Sequence, residues 1–347
     1  MTRRHLAFVA IALVLPFAGA ARHAEAATPP KCELDRPVVF AAFDWDSNAF
    51  HTALARFIME VGYGCRTDAI PGSTLPLLAG MARGDIDVAM EVWKDNVTAP
   101  WTKGVKAGKL AELGVNFPDA VQGWFIPRYL RDGDPARGIK PLAPGLRRVQ
   151  DLRKYKALFR DPEEPDKGRF YNCILGWSCE KVNTRKLRAY GLDAYFTNFR
   201  PGTGAALAAV IASRYKRGKP FVAYYWGPSW VLGRYDLVML EEPPYNEKDW
   251  LGLAARDDYP RAVAYPVVKV VIGVNTRFKA AAPKLIAFLT RYETTNAMIS
   301  KALAGMAGSH GDSATDAAIR FLKTRADVWT KWVPPDVAAR VKAGLKK

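Results

Sequence analysis

The chain has 347 residues, with 51 Lys and Arg against 34 Asp and Glu for a formal charge of +17, and it is 49% hydrophobic and 12% aromatic. That apolar content excludes a disordered chain, and beyond the N-terminus no stretch offers the roughly 18 unbroken apolar residues of a membrane helix. The basic residues are scattered along the sequence without a recognition motif, so they read as a generally basic surface suited to anionic membrane surfaces, and nucleic acid is not an expected partner.

Met1-Thr2-Arg3-Arg4-His5 is followed by an apolar run from Leu6 to Phe17 and then by alanine-rich sequence. Basic start, short apolar run and A-x-A endings predict a signal peptide over residues 1–27, cut after Ala20, Ala26 or Ala27. Arg3-Arg4 lacks the surrounding twin-arginine consensus, and Cys32 lies too far past the run for a lipoprotein. An exported, periplasmic protein of roughly 320 residues is expected, long enough for two domains. In that oxidising compartment the four cysteines allow three pairings. Cys173 with Cys179 is the local pair, which leaves Cys32 with Cys65, each at or shortly before a predicted strand. A zinc site would need C-x-x-C spacing, and only His51 and His310 remain after cleavage, so neither metal nor cofactor is expected.

Along the chain, residues 37–43 read as a buried strand, and Ser47 or Asn48 is placed to cap a helix over 49–61 that Gly62 ends. A strand over 65–70, a helix capped by Ser73 and reaching Arg83, and a strand over 85–92 complete a doubly wound α/β unit, in which ligands bind at the carboxyl ends of the strands. Trp93 stands at such an end. A short helix over 100–107 and strands over 110–115 and 122–127 follow, the latter a possible crossover into a second domain. Residues 133–145 read as a surface loop, 151–155 as the start of a short helix, and 161–168 as a solvated acidic turn without calcium-loop spacing. Helices over 180–190 and 205–217 come next, then an aromatic strand over 220–226, a long strand over 265–274 that returns to the first domain, and a helical C-terminal region broken at 305–311 and at Pro334-Pro335. The expected domains are 32–122 with 268–347, and 123–267.

No G-x-S-x-G, H-E-x-x-H or phosphate loop is present, and the histidines are too few for a general-base dyad, so a non-enzymatic role is expected. Tryptophans recur at strand and loop ends: Trp93, Trp124, Trp177 and Trp226. A quaternary ammonium has no N–H to donate and is held by π faces around its methyl groups, each worth about 0.5–2 kcal/mol. Three faces supply about 2–6 kcal/mol, whereas micromolar binding needs about 8. A carboxylate on the same ligand supplies a second handle if backbone N–H groups wait at a helix N-terminus. Ser178 and Cys179 occupy that position directly behind Trp177, inside the loop that Cys173 and Cys179 would close.

Four stretches carry a resemblance: residues 80–96 (GMARGDIDVAMEVWKDN), Gln122-Gly123-Trp124, residues 172–183 (NCILGWSCEKVN) and residues 211–230 (IASRYKRGKPFVAYYWGPSW). Together they resemble the periplasmic glycine betaine and proline betaine binding proteins of osmoprotectant ABC transporters. The resemblance implies a two-lobed type II periplasmic binding protein fold with ligand in the interdomain cleft, and an ABC permease as partner to a monomeric binder. It implies a tryptophan box of Trp93, Trp177 and Trp226, carboxylate-binding N–H groups at Ser178 and Cys179, and a Cys173–Cys179 loop disulfide. The family often writes W-T-P-L-H-D-N after its first tryptophan, with a histidine on the carboxylate. Here Trp93-Lys94-Asp95-Asn96 has no histidine and three fewer residues, which brings Lys94 and Asn96 forward as substitutes, with Asp44 and Trp45 as further candidate contacts. Choline, carnitine, proline betaine or an amino acid such as histidine or proline stay open as ligands, as does an exported enzyme on a small cation. An ammonium with N–H donors would need nearby carboxylates, such as Asp44, Asp46 or Glu91.

Overall fold

The computed structural model describes residues 30–306 and 313–346, so the expected leader and His310 lie outside the described residues. Among the described residues there are nine strands: β1 (Val38–Phe43), β2 (Thr67–Gly72), β3 (Val88–Val92), β4 (Leu110–Pro127), β5 (Gly168–Tyr171), β6 (Phe196–Phe199), β7 (Val222–Gly227), β8 (Leu237–Met239) and β9 (Val268–Asn275). Hydrogen bonding links them in the order β2-β1-β3-β9-β4-β7-β5-β6, with β8 on β4. β1 runs parallel to β2 and β3, and β5 runs parallel to β6 and β7, while β4 and β9 lie antiparallel to their neighbours. Helices pack on these sheets, which gives a two-lobed α/β fold.

Among the described residues the buried apolar side chains form three clusters: a smaller one around Phe43, Leu78 and Trp101, and two larger cores. One joins β1, β3 and β9 to the helix Asp46–Phe57 and to the C-terminal helices through Phe50, Leu54, Phe288, Tyr292 and Trp329. The other lies under β4, β5 and β7 and includes Trp124, Phe170 and Tyr225. Trp124 is a core side chain: it is fully buried, its Nε1 donates to Asn183 Oδ1 at 2.8 Å and it packs on Phe170 at 4.2 Å. It is removed from the expected set of ligand-facing tryptophans.

The first helix begins at Asp46, three residues earlier than predicted, because Ser47 and Asn48 do not cap it. Asn48 is buried within the helix and its Oδ1 accepts from the Phe43 N–H at 2.9 Å, satisfying the last strand amide of β1. The helix does not stop at Gly62 by itself but passes through a π turn over Ile58–Gly62. Ser73 holds the N-cap position of the next helix, Thr74–Arg83, without a side-chain capping bond, and that helix ends at Gly84, whose φ of 94° places it in the left-handed region glycine favours.

Residues 110–127 form one long strand where two were predicted. Pro118 cannot donate to a ladder, and the register against β9 shifts between Glu112 and Ala120, so bulges absorb the interruption and bend the strand. β4 therefore pairs with β9 along its first part and with β7 and β8 along its last. β5, β6 and β8 are too short, at four, four and three residues, to stand out from sequence. The predicted acidic turn is present and exposed over 162–166, and it leads into β5; its first residue, Asp161, is buried and takes both nitrogens of the Arg169 fork at 2.8 Å.

Both predicted disulfides are present, Cys32–Cys65 and Cys173–Cys179. The first ties the segment before β1 to the start of β2 across a sequence separation of 33. Replacing Cys32 and Cys65 together by alanine is expected to lower stability by about 3–4 kcal/mol, from the loop-entropy dependence on length. Urea unfolding of the oxidised parent against the variant measures it.

Candidate ligand-binding site

The loop between Cys173 and Cys179 is anchored from below by an asparagine network. Asn172 is fully buried; its Oδ1 accepts from the Cys173 N–H at 2.6 Å and from Asn183 Nδ2 at 2.8 Å, and its Nδ2 donates to Asn198 Oδ1 at 2.9 Å. Gly176 turns the loop with φ of 92°, and a Cβ there would meet Ser73 Oγ at 2.6 Å, so a glycine is required both for the turn and for the approach to the opposite lobe. Trp177 follows, at the N-cap position of the helix Ser178–Ala189. The Ser178 and Cys179 N–H groups open that helix and have no acceptor within it, and the positive end of its dipole points the same way.

Trp177 reaches across the cleft. Its Nε1 donates to Asp44 Oδ1 at 2.6 Å, and its ring stands edge-on to Trp45 at 5.7 Å and to Trp226 at 5.0 Å. Trp45 lies flat on Phe43 at 4.7 Å. With Trp93, these rings border one cavity, whose polar edge is made by Thr74, Glu91, Asn96 and the Ser178–Cys179 helix start. Trp93, Trp177 and Trp226 are only 9%, 5% and 8% exposed, so the two lobes are closed over the cavity. Further indole N–H bonds span the lobes: Trp230 donates to Asp46 Oδ2 at 2.8 Å and Trp250 to the Asp95 carbonyl at 3.1 Å.

Trp93, Trp177, Trp226, Ser178 and Cys179, all singled out from sequence, thus border one space, and Trp45 adds a fourth indole. Asn96 also borders it, with its amide bonded reciprocally to Gln122 at 3.0 and 3.1 Å. Lys94 is turned elsewhere, its Nζ on Glu112 at 3.0 Å. Asp44 does not border this cavity; it holds the Trp177 indole from a neighbouring hollow. Tyr224 and Thr74 were missed: Tyr224 is buried inside β7, where an aromatic reads as core, and its hydroxyl donates to Gln122 Oε1 at 2.8 Å.

Glu91 sits at the base of the rings, 1% exposed. Its Oε2 accepts from Trp45 Nε1 at 2.8 Å and from Trp93 Nε1 at 3.1 Å. Burial pushes its carboxyl up to about 7, against the opposing pull of the two indole N–H donors and of the Ser47 hydroxyl. His51, 3.8 Å away and fully buried, is pushed down to about 3 by burial, so it stands neutral beside the carboxylate.

Comparison with known proteins agrees with this geometry. The family described as the substrate binding domain of ABC-type glycine betaine transport systems matches residues 36–324. The glycine betaine-binding periplasmic protein OusX of Dickeya dadantii is 35% identical over 169 residues, 47% of each chain. The glycine betaine/proline betaine-binding periplasmic protein of Escherichia coli K12 is 33% identical over 139 residues, 39% of each chain. The chain thus spans under half the length of these curated relatives. Among solved structures, a glycine betaine, L-proline ABC transporter binding protein (ProX) from Borrelia burgdorferi shares the fold with a TM-score of 0.69 at 17% identity, covering 88% of this chain and 100% of that one. A match across residues 36–324, with the fold to accompany it, means that this chain belongs to the family of substrate-binding domains of ABC-type glycine betaine transport systems.

Proposed function

We propose that this protein captures glycine betaine or a closely related quaternary-ammonium zwitterion and delivers it to an ABC permease without making or breaking a bond. The observation that carries the reading is the convergence of four indoles, Trp45, Trp93, Trp177 and Trp226, on one cavity that also holds the opening N–H groups of a helix at Ser178 and Cys179. Four faces at about 0.5–2 kcal/mol each hold the methylated nitrogen, and the helix start holds the carboxylate. Thr74 and Asn96 stand at the polar edge where the family's histidine is missing. In this reading residues 1–27 are a signal peptide, the protein works in the periplasm as a monomer, and the lobes run over 32–122 with 268–347 and over 123–267.

Periplasmic relatives support the localisation, and no helix among the described residues is long and apolar enough to cross a membrane. Tryptophan fluorescence titration tests the reading directly. Glycine betaine is expected to change the emission of the box at micromolar concentration, because four of the ten tryptophans border the cavity. No response to glycine betaine, proline betaine, choline or carnitine at millimolar concentration would sink it.

A further inference from the structure

The carboxylate under the box has no cationic partner. Glu91 Oε2 is shared by two indole N–H groups, while its Oε1 is buried with no hydrogen-bond partner among the described residues, as is the facing His51 Nε2. From the helix Asp46–Phe57, Asp46, Ser47, Asn48 and His51 surround this region; Asp46 is engaged with Trp230, and His51 Nδ1 is paired with the Tyr292 hydroxyl at 2.6 Å. From β1 and β9, the strands beside β3, Phe40, Ala41, Val271 and Ile272 are apolar; from β4, beyond β9, Phe117 is apolar and Asn116 is engaged with the Met90 carbonyl. Asp44 is engaged with Trp177. Among the described residues no Lys or Arg stands within ion-pairing distance of Glu91.

A buried carboxylate left without a cation is costly in charged form. Here it borders the very cavity into which a permanent cation is to be received. We infer that Glu91 is the counter-charge of the binding site: ionised, it sits behind the Trp45 and Trp93 rings, holds their edges by the indole N–H groups, and balances the methylated nitrogen that those rings enclose. This rests on the proposed quaternary-ammonium reading and deepens it, since it makes capture proton-coupled. With the site empty the carboxyl holds its proton up to about pH 7. A cation above it favours the charged form, so binding below that pH expels a proton and capture weakens as pH falls. His51 takes no part in that window because it is neutral throughout it.

The test is calorimetry on the native protein with glycine betaine and with choline, neither of which titrates between about pH 5.5 and pH 8, repeated in buffers of different ionisation enthalpy. Affinity for both is expected to fall about thirtyfold from pH 8 to pH 5.5, with proton release approaching one per ligand near pH 6. Glu91→Gln keeps an oxygen for the indoles and is expected to flatten the pH profile and abolish proton release. Binding of either probe by the native protein with less than a twofold change across this range overturns the inference alone. A slope that survives in Glu91→Gln does the same. Absence of binding of both probes at every pH overturns the parent reading and this inference with it.

Discussion

Trp177→Ala is expected to weaken glycine betaine binding by about a hundredfold while leaving the fold intact. In the proposed reading the ring removed offers one π face to the cation, about 0.5–2 kcal/mol, and it is the ring against which Trp45 and Trp226 stand edge-on, contacts of about 0.5–1.5 kcal/mol each. Its indole N–H is also the donor to Asp44 across the lobes, so the closed state loses a bridge together with a wall. A total of roughly 3 kcal/mol corresponds to about two decades in affinity. The loop itself stays pinned by the Cys173–Cys179 disulfide and by Asn172, neither of which depends on the ring. Calorimetric titration measures the loss, and circular dichroism checks the fold. Trp177→Phe, which keeps a face but gives up the bond to Asp44, is expected to fall between the parent and Trp177→Ala. Affinity within threefold of the parent for Trp177→Ala would remove this residue from the box.

The parts of the site legible in the sequence were those written in consecutive residues. Gly176-Trp177-Ser178-Cys179 places a turn, a ring and a helix start in one loop, and Trp93 and Trp226 each stand at the end of an apolar run. The remaining features depend on which side chain meets which across the chain. Glu91 is separated from Trp45 by 46 positions, and only the parallel pairing of β1 with β3 brings its carboxylate under that indole. Asp44 and Trp177 meet across 133 positions once the lobes close. Within the fold, alternating apolar runs and glycine stops located most of the longer elements. The two strands read over 110–115 and 122–127 are one, because bulges around Pro118 carry β4 through, and Trp124 shows that a tryptophan near a strand end can as readily be core when its N–H finds a buried acceptor such as Asn183.

Lys186→Ala is expected to destabilise the protein by about 3–5 kcal/mol although the residue does not border the cavity. Lys186 is fully buried, and its Nζ pairs with Glu242 Oε2 at 2.6 Å and stands 4.1 Å over the Tyr265 ring. Burial pulls its pKa down while the Glu242 carboxylate pulls it up. Truncation would leave Glu242, whose side chain is 3% exposed, with only the Tyr190 hydroxyl at 2.7 Å to balance it. It would also open space beneath Tyr265, whose hydroxyl donates to Asn183 Oδ1 at 2.8 Å, and Asn183 in turn holds Asn172 under the binding loop. Lys186→Met combined with Glu242→Gln removes both charges while retaining most of the volume, so it is expected to recover at least half of the loss. Urea unfolding separates the two outcomes. If the single variant and the double variant were equally unstable, the cost would lie in packing around Tyr265 and not in an unpaired buried charge.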